Sequence, residues 1–303
     1  MLTAAFDVGG TKIVGALLDG HGVLERIVRP TPGPVGAADP GSSTLRALAA
    51  ELGRRADGPV EQVGVGVCEY VHEGRLTSHE VLAWDEQPAE WLRTLWPAAH
   101  VVVESDVRCG LLAEHRYGAV RHVSSAAFVS WGTGLSSALL VGGASWPGHR
   151  GRAIALGELR ARVAQEAGSL EAYAAGAGIA RRYAERTGAV VADAREVLAR
   201  AGAGDPVAIE VADSAGYALA HGLADLVHLL DPALVVLGGG LGSADTRAVR
   251  ALRDAWQELG SPVPLVVAEL GADGPLIGAA AAAGWSGRLG VEAASPGSGT
   301  GQP

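Results

Sequence analysis

The sequence predicts an α/β protein of two similar halves, each built on a mixed sheet that helices cover on both faces. Two strand–turn–strand units support this prediction: FDVGGTKIVGALL begins at Phe6, and VSWGTGLSSALLV begins at Val129, about 120 residues later. Each unit has glycine and threonine in its turn. Between and after them, strand-length apolar runs alternate with longer stretches of helical periodicity, as in layered α/β domains. The 303 residues are enough for two domains of about 150 residues each, with the two turns facing each other across a cleft.

The first half is predicted to span residues 1–117. Its expected strands are LTAAFDV (2–8), KIVGALLD (12–19), VEQVGVGVCEYV (60–71) and HVVVESD (100–106). TPGPVGAADPGSS (31–43) is a predicted loop, in which Ser42 or Ser43 caps a helix through LRALAAELGRR (45–55). VRCGLLAEHRYGA (107–119) has the apolar spacing of a second helix.

The second half is predicted to span residues 118–285, with its last helix packing back on the first half. Strands are expected in SSAAFVSWGTG (124–134), LSSALLVGG (135–143), PALVVLGGGLG (232–242) and VPLVVAEL (263–270). Helices are expected in GSLEAYAAGAGIARRYAERTG (168–188), DPVAIEVADSAGYALAHGLADLVHLLD (205–231) and PLIGAAAAAGW (275–285). The tail 286–303 lacks periodicity and is predicted to be disordered.

Composition excludes several classes of protein. The net charge is −9 and no cluster of Lys or Arg stands out, which argues against a nucleic-acid-binding surface. No apolar run reaches the roughly 18 residues of a membrane span, and a strand pattern begins almost at once, so neither a membrane protein nor a signal peptide is expected. Cys68 and Cys109 are too few for a disulfide framework, which favours the cytoplasm.

Three glycine-rich turns predict a nucleotide site. Glycines let backbone N–H groups approach phosphate oxygens, and threonine adds a hydroxyl donor. Lys12, the sole lysine of the chain, adds a mobile point charge. Asp7, at the end of the first strand, is placed to hold a hydrated Mg²⁺, and the glycine triplet would let an adenosine lie against bare backbone. The predicted contacts are Gly9, Gly10, Thr11 and Lys12 in the first turn, Gly132, Thr133 and Gly134 in the second, and Gly239 and Gly240 in the triplet.

Two simpler interpretations of these turns stay open. The glycines of the first two turns could serve only tight hairpins that need a positive φ angle. Lys12 could be a surface residue with no function.

Five stretches together resemble the ROK family of bacterial sugar kinases and repressors. They are DVGGTK, VESDVRCGLLAE, WGTGLSSALLVGG, SLEAYAAGAGIARR and DPALVVLGGGL, and their order and spacing match from Phe6 to about Gly284. The resemblance implies the actin-like ATPase (ribonuclease H-like) fold, with ATP near both glycine–threonine turns and a sugar deeper between the domains. It also implies a homodimer.

The resemblance assigns the catalytic base to Asp106. The family has a Glu-Asn-Asp motif whose aspartate accepts the proton of the sugar hydroxyl, and here the motif is Glu104-Ser105-Asp106. Phosphoryl transfer needs such a carboxylate together with positioning and charge neutralisation. The alternative is that Asp106 caps the following helix, although Ser105 could do so instead.

The sugar half of the family pattern is rewritten. The family's zinc insert, with one histidine and three cysteines, is missing from 151–173, so no structural zinc is expected. Aligned without gaps, Glu158 takes the place of a family histidine that also contacts the sugar. With a two-residue insertion, it instead becomes a sugar-binding glutamate. A third interpretation is a carboxylate that stabilises a helix start. Glu171 matches another sugar-binding glutamate, and Glu80 and Ser105 are further candidate substrate contacts.

These observations predict an ATP- and Mg²⁺-dependent kinase for a hydroxyl of a sugar or a sugar-like polyol. Carboxylates accept hydrogen bonds and donate none, so Glu80 and Glu158 predict an acceptor-rich pocket that disfavours glucose and N-acetylated sugars. A C7-cyclitol or a modified or amino sugar of secondary metabolism is expected by analogy. The alternatives are an ordinary glucokinase and a sugar- or nucleotide-binding sensor without activity.

Overall fold

The computed structural model describes residues 1–31, 41–161 and 168–287. Its strands are β1 (Leu2–Val8), β2 (Lys12–Asp19), β3 (Gly22–Pro30), β4 (Val60–Val67), β5 (Val71–His72), β6 (Arg75–Leu76), β7 (His100–Ser105), β8 (Ala126–Trp131), β9 (Leu135–Val141), β10 (Ala144–Trp146), β11 (Val235–Gly238) and β12 (Leu265–Val267). Its helices are α1 (Gly41–Arg55), α2 (Pro88–Leu95), α3 (Asp106–Tyr117), α4 (Leu170–Ala174), α5 (Gly176–Thr187), α6 (Ala194–Gly202), α7 (Pro206–Leu230), α8 (Gly239–Gly242), α9 (Arg247–Glu258) and α10 (Gly274–Ala282).

Two five-stranded sheets with the same topology form the two lobes of the molecule. The first has the order β3-β2-β1-β4-β7 and the second the order β10-β9-β8-β11-β12. In each sheet the first three strands are antiparallel, and the last two run parallel to the strand that opens the lobe. The shared order and pairing support the duplication that the two strand–turn–strand units predict.

Helices cover both faces of the first sheet. On one face, Leu45, Leu48 and Leu52 of α1 are completely or almost completely buried, because their spacing places them on one side of the helix. Burial of each such side chain contributes roughly 1.5–3 kcal/mol. Gly15 of β2 has no side chain, and a Cβ atom there would lie 2.2 Å from a Leu48 methyl group.

Helix α3 lies between the two sheets. A Cβ atom on Gly110 would be 2.9 Å from the Phe128 ring of β8, and a Cβ atom on Gly66 of β4 would be 3.4 Å from the Cys109 sulfur. The same helix therefore contacts both lobes, and Asp106 is its first residue.

The last helix, α10, packs on the first lobe. Its Leu276, Ile277 and Ala280 share a buried cluster with residues of β1 and β2. Just beyond it, the Trp285 indole N–H donates to the Asp19 carbonyl oxygen over 2.6 Å. The C-terminal part of the described chain thus returns to the β1–β2 hairpin.

Several predictions of secondary structure were wrong or incomplete. Ser42 and Ser43 lie inside the first turn of α1, because that helix begins at Gly41, and the Ser42 hydroxyl instead donates to Asp85 over 2.5 Å. The predicted helix 168–188 is broken at Ala175, whose backbone is extended. The predicted strand 60–71 ends at Val67. The elements that were not predicted include the edge strands β3 and β10 and the helices α2, α6 and α9.

Some predictions fall on residues without a description. Most of the predicted loop 31–43 and nearly all of the predicted disordered tail 286–303 lie outside the described residues. Within the described part, no helix has both the length and the apolar character to cross a lipid bilayer.

Candidate functional site

The carboxyl ends of three neighbouring strands bring Asp7, Cys68 and Asp106 together. Strands β1, β4 and β7 run parallel, and Asp7 pairs with Gly66, which pairs with Glu104. The residues at and just beyond the strand ends therefore meet at one edge of the first sheet. Ligand sites in α/β proteins commonly occupy this edge.

The electrostatics of this edge fit a proton acceptor. Burial raises the pKa of Asp106 to about 7, and the negative charges of Asp7 and Glu69 act in the same direction, while Arg108 opposes them. Burial also raises the pKa of Asp7 to about 6, against the lowering effect of Lys12. A carboxyl group with a pKa near neutrality is suited to general base catalysis.

The predicted cap of α3 is only partly correct. Ser105 occupies the N-cap position but its side chain makes no capping hydrogen bond, and its buried Oγ atom has no hydrogen-bond partner among the described residues. Asp106 Oδ1 instead accepts the Val107 N–H over 2.6 Å. Asp106 therefore keeps one carboxylate oxygen without such a bond, next to the strand edge.

The first glycine turn presents its backbone and its cation to solvent. The Gly9 N–H donates to the Lys12 carbonyl oxygen over 3.0 Å, and Gly10, Thr11 and Lys12 are exposed. Neither glycine has a positive φ angle. The interpretation of a hairpin that needs glycine for its φ angle is thus wrong here.

The second turn is held by the start of a helix. At the break between α4 and α5, the Gly176 N–H donates to the Gly132 carbonyl oxygen over 2.8 Å, and the Ala177 N–H donates to Thr133 over 3.0 Å. Neither Gly132 nor Gly134 has a positive φ angle, so the same φ-based interpretation also fails here. The helix break serves to anchor this turn.

The glycine triplet lies beside the second turn. Gly239 has a φ angle of +77°, and a Cβ atom there would be 2.5 Å from the Trp131 carbonyl oxygen, so only glycine fits. At Gly240 a Cβ atom would meet nothing within 4 Å, and at Gly132 its nearest neighbour is the Gly240 nitrogen at 3.8 Å. At Gly132 and Gly240, bare backbone thus borders open space, although neither packing nor the φ angle requires a glycine there.

A pocket of about 170 Å³ lies between the lobes, beside both turns. Of the predicted substrate contacts, Glu80, Glu158 and Glu171 line it, whereas Ser105 does not. Asp106 does not line it either, but it is near Cys68, which does: after burial, the charge of Asp106 is the largest cause of the raised pKa of the Cys68 thiol. Val81 lines the pocket too and is the nearest neighbour of a Cβ atom built on Gly10, at 3.1 Å.

Glu158 is held by two donors that the sequence analysis missed. The Tyr70 hydroxyl donates to it, and Arg152 donates over 3.0 Å while its guanidinium lies 4.1 Å from the centre of the Tyr70 ring. Burial and the hydrogen bond to Glu158 raise the pKa of Tyr70. Glu158 also lies in a single 3₁₀ turn, Leu156–Glu158, so the helix-start interpretation stays open, and the predicted acceptor-rich pocket also contains donors at this side.

Glu171 connects the pocket to the second turn. One of its carboxylate oxygens accepts the Leu135 N–H over 2.7 Å, and that oxygen lies 3.0 Å from a Cβ atom built on Gly134. The Glu171 side chain therefore supports the second turn while it lines the pocket.

Glu69 is a further pocket residue that the sequence analysis did not select. It is 3% exposed, and its two oxygens accept hydrogen bonds from the Ser78 hydroxyl and from the N–H groups of Glu80, Val81 and Leu82. No short sequence motif identifies such a residue, because the four groups that donate to it lie 9 to 13 positions further along the chain.

The described part of the candidate site offers single carboxylates, not a cluster of metal ligands. Within 1–31, 41–161 and 168–287, no three His, Cys, Asp or Glu side chains are grouped so as to hold a metal ion. Residues 162–167 of the stretch that lacks the zinc ligands lie outside the described part. The absence of structural zinc stays a prediction, which metal analysis of the purified protein tests. A single carboxylate such as Asp7 fits Mg²⁺ that keeps most of its water ligands.

Comparison with known proteins gives a consistent result. A model of the ROK family matches residues 3–284. The bifunctional enzyme NanE/NanK of Brucella melitensis is 34% identical over 282 residues, which cover 91% of this chain and 52% of that protein. This chain therefore spans about half the length of that relative. A glucokinase of Streptomyces coelicolor is 29% identical over 311 residues, covering 92% of this chain and 96% of that one.

A solved structure has a similar fold over most of this chain. The ROK family glucokinase from Streptomyces griseus, in complex with glucose and AMPPNP, is 27% identical and has a TM-score of 0.76 over 93% of this chain and 99% of that one. The predicted fold class, two α/β halves of the actin-like ATPase type around a cleft, is confirmed.

Proposed function

Because this chain belongs to the ROK family, we propose that it is an ATP- and Mg²⁺-dependent kinase that phosphorylates a hydroxyl of a sugar or a sugar-like polyol. The observation that carries the proposal is the position of Asp106. Its carboxyl group, with a pKa raised to about 7, lies beside a pocket between two glycine turns. That arrangement supplies a base next to an acceptor site and bare backbone for phosphates.

Each group has a role that its surroundings support. Asp106 takes the proton of the attacking hydroxyl, and Asp7 would hold Mg²⁺ through water. Apart from the Gly9 and Gly132 N–H groups, which close their own turns, the turns at Gly9–Lys12 and Gly132–Gly134 donate to phosphate oxygens, with the Lys12 ammonium as a point charge. Phosphoryl transfer depends mainly on such positioning and charge neutralisation. Bound ATP supplies the phosphoryl group, and Gly239 and Gly240 leave room for its adenosine.

The pocket also limits the acceptor. Glu80, Glu158 and Glu171 line it, and the Glu80 carboxylate has no hydrogen-bond or salt-bridge partner among the described residues. Ionised carboxylates favour ligands rich in O–H donors or carrying an ammonium group. We therefore propose a cyclitol, such as a C7-cyclitol, or an amino-polyol as the preferred acceptor, with Glu80 and Glu158 as its contacts. Ser105 stays a proposed contact that the ligand would reach only if its buried hydroxyl became accessible.

A second candidate acceptor is glucose. The similarity to the Streptomyces glucokinases, over nearly their whole lengths, favours it. In that case the Arg152 guanidinium neutralises Glu158, to which the Tyr70 hydroxyl also donates, and the pocket is less acidic than its count of glutamates implies.

A panel of acceptors separates these candidates. Purified protein is incubated with ATP, Mg²⁺ and glucose, N-acetylated hexosamines, cyclitols or amino-polyols, and the products are identified by mass. We expect kcat/KM for a cyclitol or an amino-polyol to exceed that for glucose by about 10²-fold or more, since buried groups left unpaired by the wrong ligand penalise it. A higher kcat/KM for glucose would establish the glucokinase alternative. ATP binding without turnover of any acceptor would establish a sensor.

The proposal extends to the state of the protein in the cell. We expect a cytoplasmic homodimer, since a two-fold dimer is the most frequent assembly of soluble proteins, and no nucleic-acid partner. Light scattering of the purified chain tests the dimer.

A further inference from the structure

A buried carboxylate shapes one wall of the interlobe pocket. Glu69 Oε1 accepts the N–H groups of Val81 and Leu82 over 2.8 and 2.9 Å, and Oε2 accepts the Glu80 N–H over 2.9 Å and the Ser78 hydroxyl over 2.5 Å. Both oxygens are thus used within the protein, although Glu69 itself lines the pocket. We refer to residues 78–82 as the acceptor loop.

The acceptor loop has little other support. It lies between β6 and α2 and contains no helix or strand of its own. Its Ser78 hydroxyl also accepts the Tyr70 N–H over 2.9 Å, and Leu82 is buried. Three successive N–H groups that converge on one carboxylate replace the backbone partners that a strand or helix would provide. Charge-assisted hydrogen bonds of this kind are stronger than neutral ones.

The loop held in this way contacts both parts of the proposed reaction. Glu80 and Val81 line the pocket, and Val81 also lies against the first glycine turn at Gly10. The position of the Glu69 carboxylate therefore sets where the Glu80 carboxylate meets an acceptor. It also sets how closely the acceptor loop lies against the turn that carries Lys12.

We propose that Glu69 is the positioning residue of the acceptor site: it binds no substrate, and its carboxylate holds the acceptor loop so that Glu80 and Val81 form the pocket wall. The expected effect on kinetics rests on the proposed kinase function. The expected effect on the acceptor loop does not. This role explains why Glu69 lines the pocket yet has both oxygens bound to donors of the protein. A glutamate that contacted the substrate would keep one oxygen free.

The first test is amide hydrogen exchange of Glu69→Gln. The side-chain amide keeps one accepting oxygen and places N–H₂ where the second oxygen was, so one side of the loop loses its acceptor. We expect exchange in residues 80–82 to increase by about tenfold or more. Unchanged exchange in 80–82 would overturn the proposal, whether or not the protein is a kinase.

Glu114→Gln is the matched control. Glu114 is also buried, at 1% exposure, and also accepts backbone N–H groups, from Ala119, Glu269 and Leu270, but it does not line the pocket. We expect this variant to speed exchange at 269–270 and to leave 80–82 unchanged. An equal increase at 80–82 in both variants would show general loosening and would overturn the specific role of Glu69.

The second test is steady-state kinetics with the acceptor that the parent uses best. A positioning role predicts that Glu69→Gln raises KM for that acceptor by about tenfold, a larger change than in kcat or in KM for ATP. Glu114→Gln should leave all three near parental values. A parental KM for the acceptor in Glu69→Gln would overturn the role. If the parent uses no acceptor, the proposed function fails, and the exchange experiment alone decides the role of Glu69.

Discussion

The negative charge of Asp7 acts on Asp106 across the carboxyl edge of the first sheet and, after burial, is the largest cause of the raised pKa of Asp106, about 7. A base works only when it is ionised, so we expect kcat/KM to fall about tenfold per pH unit below pH 7. Rates measured from pH 5 to 9 test this. In Asp7→Asn, which lacks the raising charge, the acid limb should move to lower pH even if the rate itself drops. A flat profile down to pH 5 would exclude Asp106 as the base.

Replacement of the base should separate chemistry from nucleotide binding. We expect Asp106→Asn to lower kcat by roughly 10² to 10⁴, the contribution of a positioned general base, because the amide cannot accept the hydroxyl proton. Calorimetric titration with a non-hydrolysable ATP analogue should give a Kd within about threefold of the parent. A variant that turns over at the parental rate would show that Asp106 has another role.

The same variant should be more stable than the parent at high pH. The pKa of Asp106 rises from 3.8 to about 7 on folding, so the folded state binds more protons, and the free energy of unfolding falls as pH rises from about 4 to 7. Asp106→Asn removes this unfavourable charge. We expect its Tm to exceed the parental Tm by about 2–4 °C at pH 8 and to equal it near pH 4. A lower Tm at pH 8 would contradict the assigned burial of the charge.

A methyl group at Gly240 should block the nucleotide without disturbing the fold. A Cβ atom there meets nothing within 4 Å and the φ angle is not positive, so Gly240→Ala should leave Tm within about 1 °C. We expect KM for ATP to rise about tenfold, because the adenosine needs the space. Gly202→Ala, at a position that is equally open but remote from the pocket, should change neither quantity. Parental KM for ATP in Gly240→Ala would move the adenosine site elsewhere.

Loss of the cation in the first turn should weaken use of the nucleotide. We expect Lys12→Ala to raise KM for ATP about tenfold, and Lys12→Arg to restore it only in part, since the planar guanidinium differs in reach and geometry from an ammonium group. Initial rates at varied ATP measure both. Arg195→Ala, which removes an 86% exposed cation far along the chain, controls for net charge. A parental KM for ATP in Lys12→Arg would show that Lys12 contributes only its positive charge.

The repeated architecture could be predicted because local sequence patterns indicate it. Each glycine–threonine turn is flanked by apolar runs of strand length, and residues 206–230 of α7 carry an uninterrupted helical pattern. The sequence places Asp7 and Asp106 at strand ends, and parallel pairing then brings them together. For such features the local signal and the tertiary structure agree.

Features that depend on distant partners could not be predicted. Residues 168–188 have helical periodicity throughout. The helix is nevertheless interrupted at Ala175, because the N–H groups of Gly176 and Ala177 donate to the turn at Gly132 and Thr133. Likewise, Glu69 appears in the sequence as one acidic residue at the end of an apolar run. Its role arises only when the acceptor loop folds over it.

The sole lysine of the chain, Lys12, is exposed in the first glycine turn, and this has a practical consequence for labelling chemistry. Apart from the α-amino group, amine-reactive esters find one primary amine, and it lies where the nucleotide is proposed to bind. Attachment of the protein to a sensor surface through amines would therefore mask that turn, whereas attachment through an engineered cysteine would not. Conversely, the extent of acylation at one residue, followed by mass spectrometry, would report nucleotide occupancy directly.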